Sequence, residues 1–80
     1  MPKPMQTRIH EVLSQVMGVP LSTVSDESSP DNTEGWDSVR HLNLVVAVES
    51  EFDVSLSPED AMEMRSVRLI RLLLEEKGVG

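Results

Sequence analysis

The apolar residues of this chain recur at helical spacing, and this spacing constrains the fold more than any other feature. Near the start, five of them follow the i, i+3, i+4, i+7, i+8 pattern that places side chains on one helical face. They are Ile9, Val12, Leu13, Val16 and Met17. Gly18 then supplies a left-handed stop, and Pro20 prevents the helix from continuing. The pattern predicts a first helix that ends near Met17.

Three more helices are predicted further along the chain. Residues 39–52 contain no Gly or Pro, and Asp37 or Ser38 can cap them. Residues 57–60, with the sequence SPED, predict a short third helix that extends to about Met64 and has a proline in its first turn. Ser66 can cap a fourth helix that ends at Gly78. With no strand signal, we expect an all-α fold: a four-helix bundle with three longer helices and a short third one.

The second predicted helix has two apolar aspects when its residues are placed at 100° intervals. On this spacing we expect one side to face the core and the other to be exposed. The inward set is Leu42, Val45, Val48 and Phe52, with His41 also turned toward the core. The outward set includes Val39, Asn43 and Val46.

A long polar loop separates the first two helices and reads PLSTVSDESSPDNTEG over residues 20–35. Leu21 and Val24 are its only apolar anchors. Loops of this length are uncommon in compact domains unless they are functional or disordered. The end of this loop leads into the segment Gly35-Trp36-Asp37-Ser38-Val39.

Composition excludes several classes of function. The 80 residues contain no cysteine and two histidines, so a disulfide, a thiolate nucleophile and a Cys-ligated or all-histidine metal site are ruled out. The net charge of -7 argues against nucleic acid. The longest apolar run, residues 44–48, is too short for a membrane span of about 20 residues. We expect one soluble, cytoplasmic, monomeric domain over residues 1–80.

The acidic residues are concentrated in the middle of the chain. Residues 26–64 hold eleven of the 14 acidic residues and a single basic residue, Arg40. Within this segment, Ser38 opens the second helix, where the helix dipole and free N–H groups favour a phosphate oxygen. A surface of one sign also steers a partner of opposite charge. By itself the motif is more simply explained by a serine that only caps the helix.

The segment from Gly35 to Val67 resembles the acyl carrier protein family around its phosphopantetheine attachment site. The family's Asp-Ser-Leu motif reads Asp37-Ser38-Val39 here, and the similarity continues through residues 49–53 and 57–61. The resemblance implies a non-catalytic four-helix carrier in which Ser38 bears 4′-phosphopantetheine from coenzyme A. It also implies that Asp37 contacts the phosphopantetheinyl transferase, and that acyl groups travel as thioesters to enzymes with basic docking surfaces.

The resemblance further implies two sets of site residues. The partner-binding set is Val39, Asn43, Val46 and Glu49. The acyl-pocket set is His41, Leu42, Val45 and Met64.

Several residues depart from the housekeeping fatty-acid pattern of that family. Arg40 and Asn43 stand where acids are usual, Pro30 and Glu34 replace apolar loop residues, and Trp36 fills a position that is often small. These departures favour a carrier of polyketide or other specialised acyl synthesis. Three arginines near the last helix are expected to pair with the protein's own acids. They are Arg65, Arg68 and Arg71.

Two alternatives stay open at this point: a peptidyl or aminoacyl carrier of a non-ribosomal pathway, and an unmodified acidic module that binds a partner through Val39 and Val46. A hydrolase is disfavoured. Ser38 and His41 lie one helical turn apart, as a nucleophile and base would, but the sequence shows no third residue to orient His41 and no oxyanion site.

Overall fold

A computed structural model describes residues 3–79 and contains four α-helices within them. The helices are α1 (Met5–Met17), α2 (Ser38–Phe52), α3 (Pro58–Glu63) and α4 (Val67–Glu76). A 3₁₀ turn (Leu21–Thr23) lies in the long loop, and no strand occurs in the described part of the chain. The predicted all-α fold with a short third helix is confirmed.

Helix α1 ends as its sequence predicts. Gly18 adopts a left-handed conformation with φ of 70°. Its N–H and that of Val19 both donate to the carbonyl oxygen of Ser14, at 2.9 and 3.2 Å. These bonds satisfy a carbonyl that the end of the helix would otherwise leave unpaired.

The core forms where α1 packs against α2 and α4. Eleven buried residues come from these three helices: Ile9, Val12, Leu13, Met17, Leu44, Val48, Phe52, Val67, Ile70, Leu73 and Leu74. Three more come from the connecting segments: Val24, Trp36 and Met64. The apolar residues that recur at helical spacing in the sequence therefore supply most of the core.

Two predictions of burial are wrong. Leu42 is 65% exposed, because it lies about 120° around α2 from the fully buried Val48. The six-residue α3 is too short to cover that side of α2. Leu21 is 47% exposed in the 3₁₀ turn, so Val24 and Trp36 anchor the loop instead.

The long loop is fastened to the start of α4. The carbonyl oxygens of Asp26 and Ser28 accept hydrogen bonds from the N–H groups of Arg68 and Val67, at 3.0 and 3.1 Å. The Asp26 carboxylate also lies 3.2 Å from Arg71 and 3.3 Å from His10 on α1. Of the three arginines expected to pair with acids, only Arg71 forms an ion pair within residues 3–79. The prediction is wrong for Arg65 and Arg68.

The start of α3 is joined to the end of α4 through Asp60. Ser57 and Asp60 form a capping box, in which each side chain accepts a hydrogen bond from the other residue's N–H. Lys77 Nζ lies 2.8 Å from Asp60 Oδ2. Hydrogen bonding from Lys77, and next from the Ser57 N–H, holds the pKa of Asp60 below its usual value of 3.8.

This lowered pKa predicts an acid-dependent contribution to stability. A depressed carboxyl pKa stabilises the fold above the ordinary value of 3.8, and the stabilisation is lost as pH falls through the folded-state value. Lys77→Met is therefore expected to be less stable than wild type at pH 7 and to lose less stability on acidification. Urea unfolding at pH 7 and pH 3 measures the difference. Lys3→Met removes the same charge from an exposed pair with Glu11 and serves as the control. Equal losses in Lys77→Met and wild type would contradict the prediction.

Candidate functional site

The Ser38 hydroxyl is left free by the way in which α2 begins. Asp37 caps the helix, because its Oδ1 accepts a hydrogen bond from the Arg40 N–H at 2.8 Å. Ser38 is the first helical residue, and it is exposed. Its Oγ makes no hydrogen bond with any residue from 3 to 79. The interpretation of Ser38 as a mere cap is wrong, because Asp37 takes that role.

The backbone around Ser38 offers donors to an anion. The first intrahelical bond of α2 runs from the His41 N–H to the Asp37 carbonyl oxygen at 2.8 Å. The N–H groups of Ser38 and Val39 precede it and have no backbone acceptor in the described chain. A phosphate attached to Ser38 Oγ would therefore lie at the positive end of the helix dipole.

Arg40 fastens the start of α2 to the end of α1. Its Nη1 donates a hydrogen bond to the Met17 carbonyl oxygen at 2.7 Å. Gly35 makes this approach possible, because a Cβ there would lie 3.1 Å from both of these atoms. Gly35 also has φ of 88°, which other residues rarely adopt. Arg40, which stands where the family usually has an acidic residue, is thus hydrogen-bonded to the protein's own backbone.

A hydrogen-bonded pair connects the loop, α2 and α3 beside Ser38. The buried Trp36 donates from Nε1 to His41 Nδ1 at 2.9 Å, and the two rings stack with centroids 6.1 Å apart. Because Nδ1 accepts this bond, Nε2 carries the proton and donates to the Ala61 carbonyl oxygen at 2.7 Å. The imidazole is therefore oriented by Trp36, a role for which the sequence showed no candidate.

This network argues against a Ser38–His41 hydrolase. Both nitrogens of His41 are engaged, one by Trp36 and the other by Ala61. A general base must reach the proton of its nucleophile, and no free nitrogen is left for Ser38.

A groove of about 670 Å³ opens beside Ser38, between α2 and α3. Its apolar lining is Pro30, Trp36, Leu42, Pro58, Ala61 and Met62. Its polar lining is Asp37, Ser38, His41 and Arg65. An acyl chain attached near Ser38 would find an apolar surface here.

The predicted acyl-pocket residues are divided by the structure. His41 and Leu42 line the groove. Met64 does not, because α3 ends at Glu63 and the chain then turns Met64 into the core, where it is fully buried. Val45 is half-buried against that core and does not line the groove either.

Sequence reasoning missed the contribution of α3 to the groove. Pro58, Ala61 and Met62 line it, and Met62 is 74% exposed. These residues follow the i, i+3, i+4 spacing of one helical face. That spacing was the signal that could have found them.

The predicted partner surface lies along α2. Val39 and Val46 are 68% and 63% exposed. Leu42, which was predicted to be buried, is exposed on the same surface. Asn43 is exposed as well. Glu49 differs: it is half-buried, and its Oε2 accepts a hydrogen bond from the Leu56 N–H at 2.8 Å. One of its two carboxylate oxygens therefore holds the segment that follows α2.

Two further classes of site find no support in the described residues. No helix between residues 3 and 79 is long and apolar enough to cross a membrane. The same stretch holds no group of three His, Cys, Asp or Glu residues placed to bind a metal ion.

Known proteins are similar to this chain in sequence. Residues 7–73 match the family described as the phosphopantetheine attachment site. An acyl carrier protein of Bdellovibrio bacteriovorus is 32% identical over 71 residues, which cover 89% of this chain and 91% of the relative. An acyl carrier protein of Syntrophobacter fumaroxidans is 33% identical over 64 residues, covering 80% of this chain and 79% of the relative.

The fold, the free serine and the family match define a small helical carrier that uses 4′-phosphopantetheine. The chain belongs to the acyl carrier protein family. Members of this family are carriers and not catalysts. The residues present fit the prosthetic group, because an exposed, unbonded hydroxyl stands at a helix N-terminus and at the edge of an apolar groove.

Proposed function

We propose that Ser38 Oγ bears the phosphopantetheine arm and that the protein delivers acyl groups, held as thioesters, to partner enzymes. The observation that carries this proposal is the free hydroxyl of Ser38. Asp37 takes the cap position and leaves that oxygen exposed at the groove. Asp37 is then the natural acidic contact for the transferase, because it directly precedes the residue to be modified.

The attachment chemistry needs only a nucleophilic oxygen from this chain. A phosphopantetheinyl transferase joins Ser38 Oγ to the pantetheine-bearing phosphorus of the coenzyme A diphosphate. The P–O bond to the adenosine half breaks, the hydroxyl proton is lost, and adenosine 3′,5′-bisphosphate is the leaving group. When bound, the arm supplies the thiol that this cysteine-free chain lacks. The N–H groups of Ser38 and Val39 stabilise the phosphodiester, and the groove accepts part of an acyl chain. Covalent attachment raises the effective concentration of the acyl group at each partner enzyme.

Partner enzymes are expected to dock on α2. Its exposed apolar residues Val39, Leu42 and Val46 lie within the strongly acidic middle of the chain. An acidic surface around an apolar stripe is complementary to a basic surface with an apolar centre. Asn43 and the second carboxylate oxygen of Glu49 would complete this surface. We place the protein in the cytoplasm as a monomer, with the transferase and acyl-using enzymes as its partners.

The pathway we favour is polyketide or other specialised acyl synthesis. Trp36 and Arg40 favour this proposal because both depart from the fatty-acid pattern of the family. In the structure, Trp36 is hydrogen-bonded to His41 in the groove and Arg40 to the end of α1. The acyl groups carried by this protein are therefore expected to differ from those of fatty-acid elongation.

Incubation with coenzyme A and a promiscuous phosphopantetheinyl transferase tests the carrier function. The intact mass of the wild-type protein is expected to increase by one phosphopantetheine group. An unchanged mass, with a known carrier modified in the same reaction, would reject the carrier function and leave the unmodified interaction module. A holo-protein loaded by an amino-acid-activating enzyme, and refused by acyl transferases, would identify a peptidyl carrier instead.

A further inference from the structure

Arg65 places a positive charge in the groove, and that charge has no partner among the described residues. Its side chain is exposed and lines the groove together with Ser38 and Met62. The guanidinium makes no hydrogen bond or ion pair with any of residues 3–79. Five other basic residues are engaged in the same part of the chain: Lys3, Arg8, Arg40, Arg71 and Lys77.

The backbone holds Arg65 in place even though its side chain is free. Its N–H donates to the Glu63 carbonyl oxygen at 2.9 Å. On either side, Met64 is fully buried and Ser66 caps α4 by accepting a hydrogen bond from the Leu69 N–H at 3.1 Å. The backbone from which the Arg65 side chain extends is therefore held at the rim of the groove.

The other polar groups of the groove are already committed. Asp37 caps α2, and His41 uses both of its nitrogens. Ser38 is the proposed attachment point. Among the lining residues, Arg65 alone has a positively charged side chain, and the donors of its guanidinium are unused within residues 3–79.

We infer that Arg65 is a specificity-determining residue that favours acyl groups ending in a carboxylate. The inference rests on the proposed attachment at Ser38. The apolar walls would contact the methylene part of such a group, and the guanidinium would pair with its carboxylate in a two-point geometry. An uncharged acyl group gains nothing from Arg65. Without Arg65, Asp37 is the one charged residue of the lining and would repel the carboxylate.

Two arms of equal length test this inference. The protein is loaded with the glutaryl and the pentanoyl forms of phosphopantetheine, each joined by a stable amide in place of the thioester, and loading is verified by mass. Trp36 is the single tryptophan and lines the groove, so its indole N–H resonance reports occupancy by NMR. We expect Arg65→Gln to reduce the equilibrium constant for occupancy by the glutaryl arm about threefold, the size of an exposed ion pair. Occupancy by the pentanoyl arm is expected to stay unchanged.

Arg68→Gln is the matched control, because it removes the same charge from an exposed residue of α4 that does not line the groove. It is expected to behave as wild type with both arms. An Arg65→Gln variant that binds the glutaryl arm as well as wild type does would overturn the inference. An equal loss with both arms would also overturn it, because Arg65 would then act on the shared phosphate or on the fold. If the mass measurement shows that neither arm is attached to wild type, the proposed attachment at Ser38 is rejected, and the inference that rests on it falls with it.

Discussion

Ser38→Ala is expected to abolish addition of phosphopantetheine completely while the protein unfolds at the same urea concentration as wild type. The substitution removes the oxygen that we propose forms the phosphodiester. It removes no contact from the fold, because Ser38 is exposed and Asp37 makes the cap bond. The free energy of unfolding should therefore change by less than about 0.5 kcal/mol. Intact mass after incubation with transferase and coenzyme A measures the first effect, and urea unfolding measures the second.

Two other serines provide controls of opposite kind. Ser50 is exposed on α2, so Ser50→Ala is expected to change neither loading nor stability. Ser57 caps α3, so Ser57→Ala should cost about 1 kcal/mol and still be loaded. Full loading of Ser38→Ala would mean that another hydroxyl carries the arm. Loss of both loading and stability would mean that Ser38 holds the fold in a way that its surroundings do not show.

Helix ends were predictable because the residues that stop and start a helix are local. Gly18 ends α1 through its own left-handed conformation, and Ser57 and Ser66 begin α3 and α4 with bonds to N–H groups three residues ahead. Each bond spans a few positions in the sequence. Helical periodicity, which is equally local, identified the residues of α1 that form the core.

The sequence predictions failed where the position of a side chain depends on another helix or loop. Whether Leu42 is buried depends on the length of α3, which covers only part of α2. Whether Met64 faces the groove depends on the turn between α3 and α4. Asp26 connects α1, the loop and α4 across as many as 45 positions, and no local pattern indicates such a contact.

The Trp36–His41 hydrogen bond could not be predicted from the sequence either, although the two residues are close in sequence. The two residues are five positions apart, and both were singled out from the sequence. Their contact depends on two side-chain rotamers and on the Ala61 carbonyl oxygen, which α3 supplies from 20 positions away. The sequence therefore indicated that each residue matters, without indicating that they bind each other.

Trp36→Ala is expected to be among the most destabilising substitutions in the chain. Trp36 is 6% exposed, anchors the long loop and donates the bond that orients His41. Removal of a buried tryptophan side chain typically costs about 3–5 kcal/mol. A domain of this size has a total stability of roughly 4–12 kcal/mol, so the variant should be partly unfolded at 37 °C. Thermal and urea unfolding followed by circular dichroism measure the loss. A change below about 1 kcal/mol would show that the loop does not depend on Trp36.

A double-mutant cycle separates the hydrogen bond from the packing. Trp36→Phe keeps an aromatic ring and removes the Nε1 donor, whereas His41→Leu removes the acceptor and the link to Ala61. Because both single variants lose the same bond, the double variant should be less destabilised than their sum, by about 1 kcal/mol. Strict additivity would mean that the bond contributes nothing and that Trp36 acts through packing alone. A coupling energy of about 1 kcal/mol would show that the loop before Ser38, α2 and α3 form one connected unit. The residues that fix the wall of the groove would then also position the proposed attachment serine.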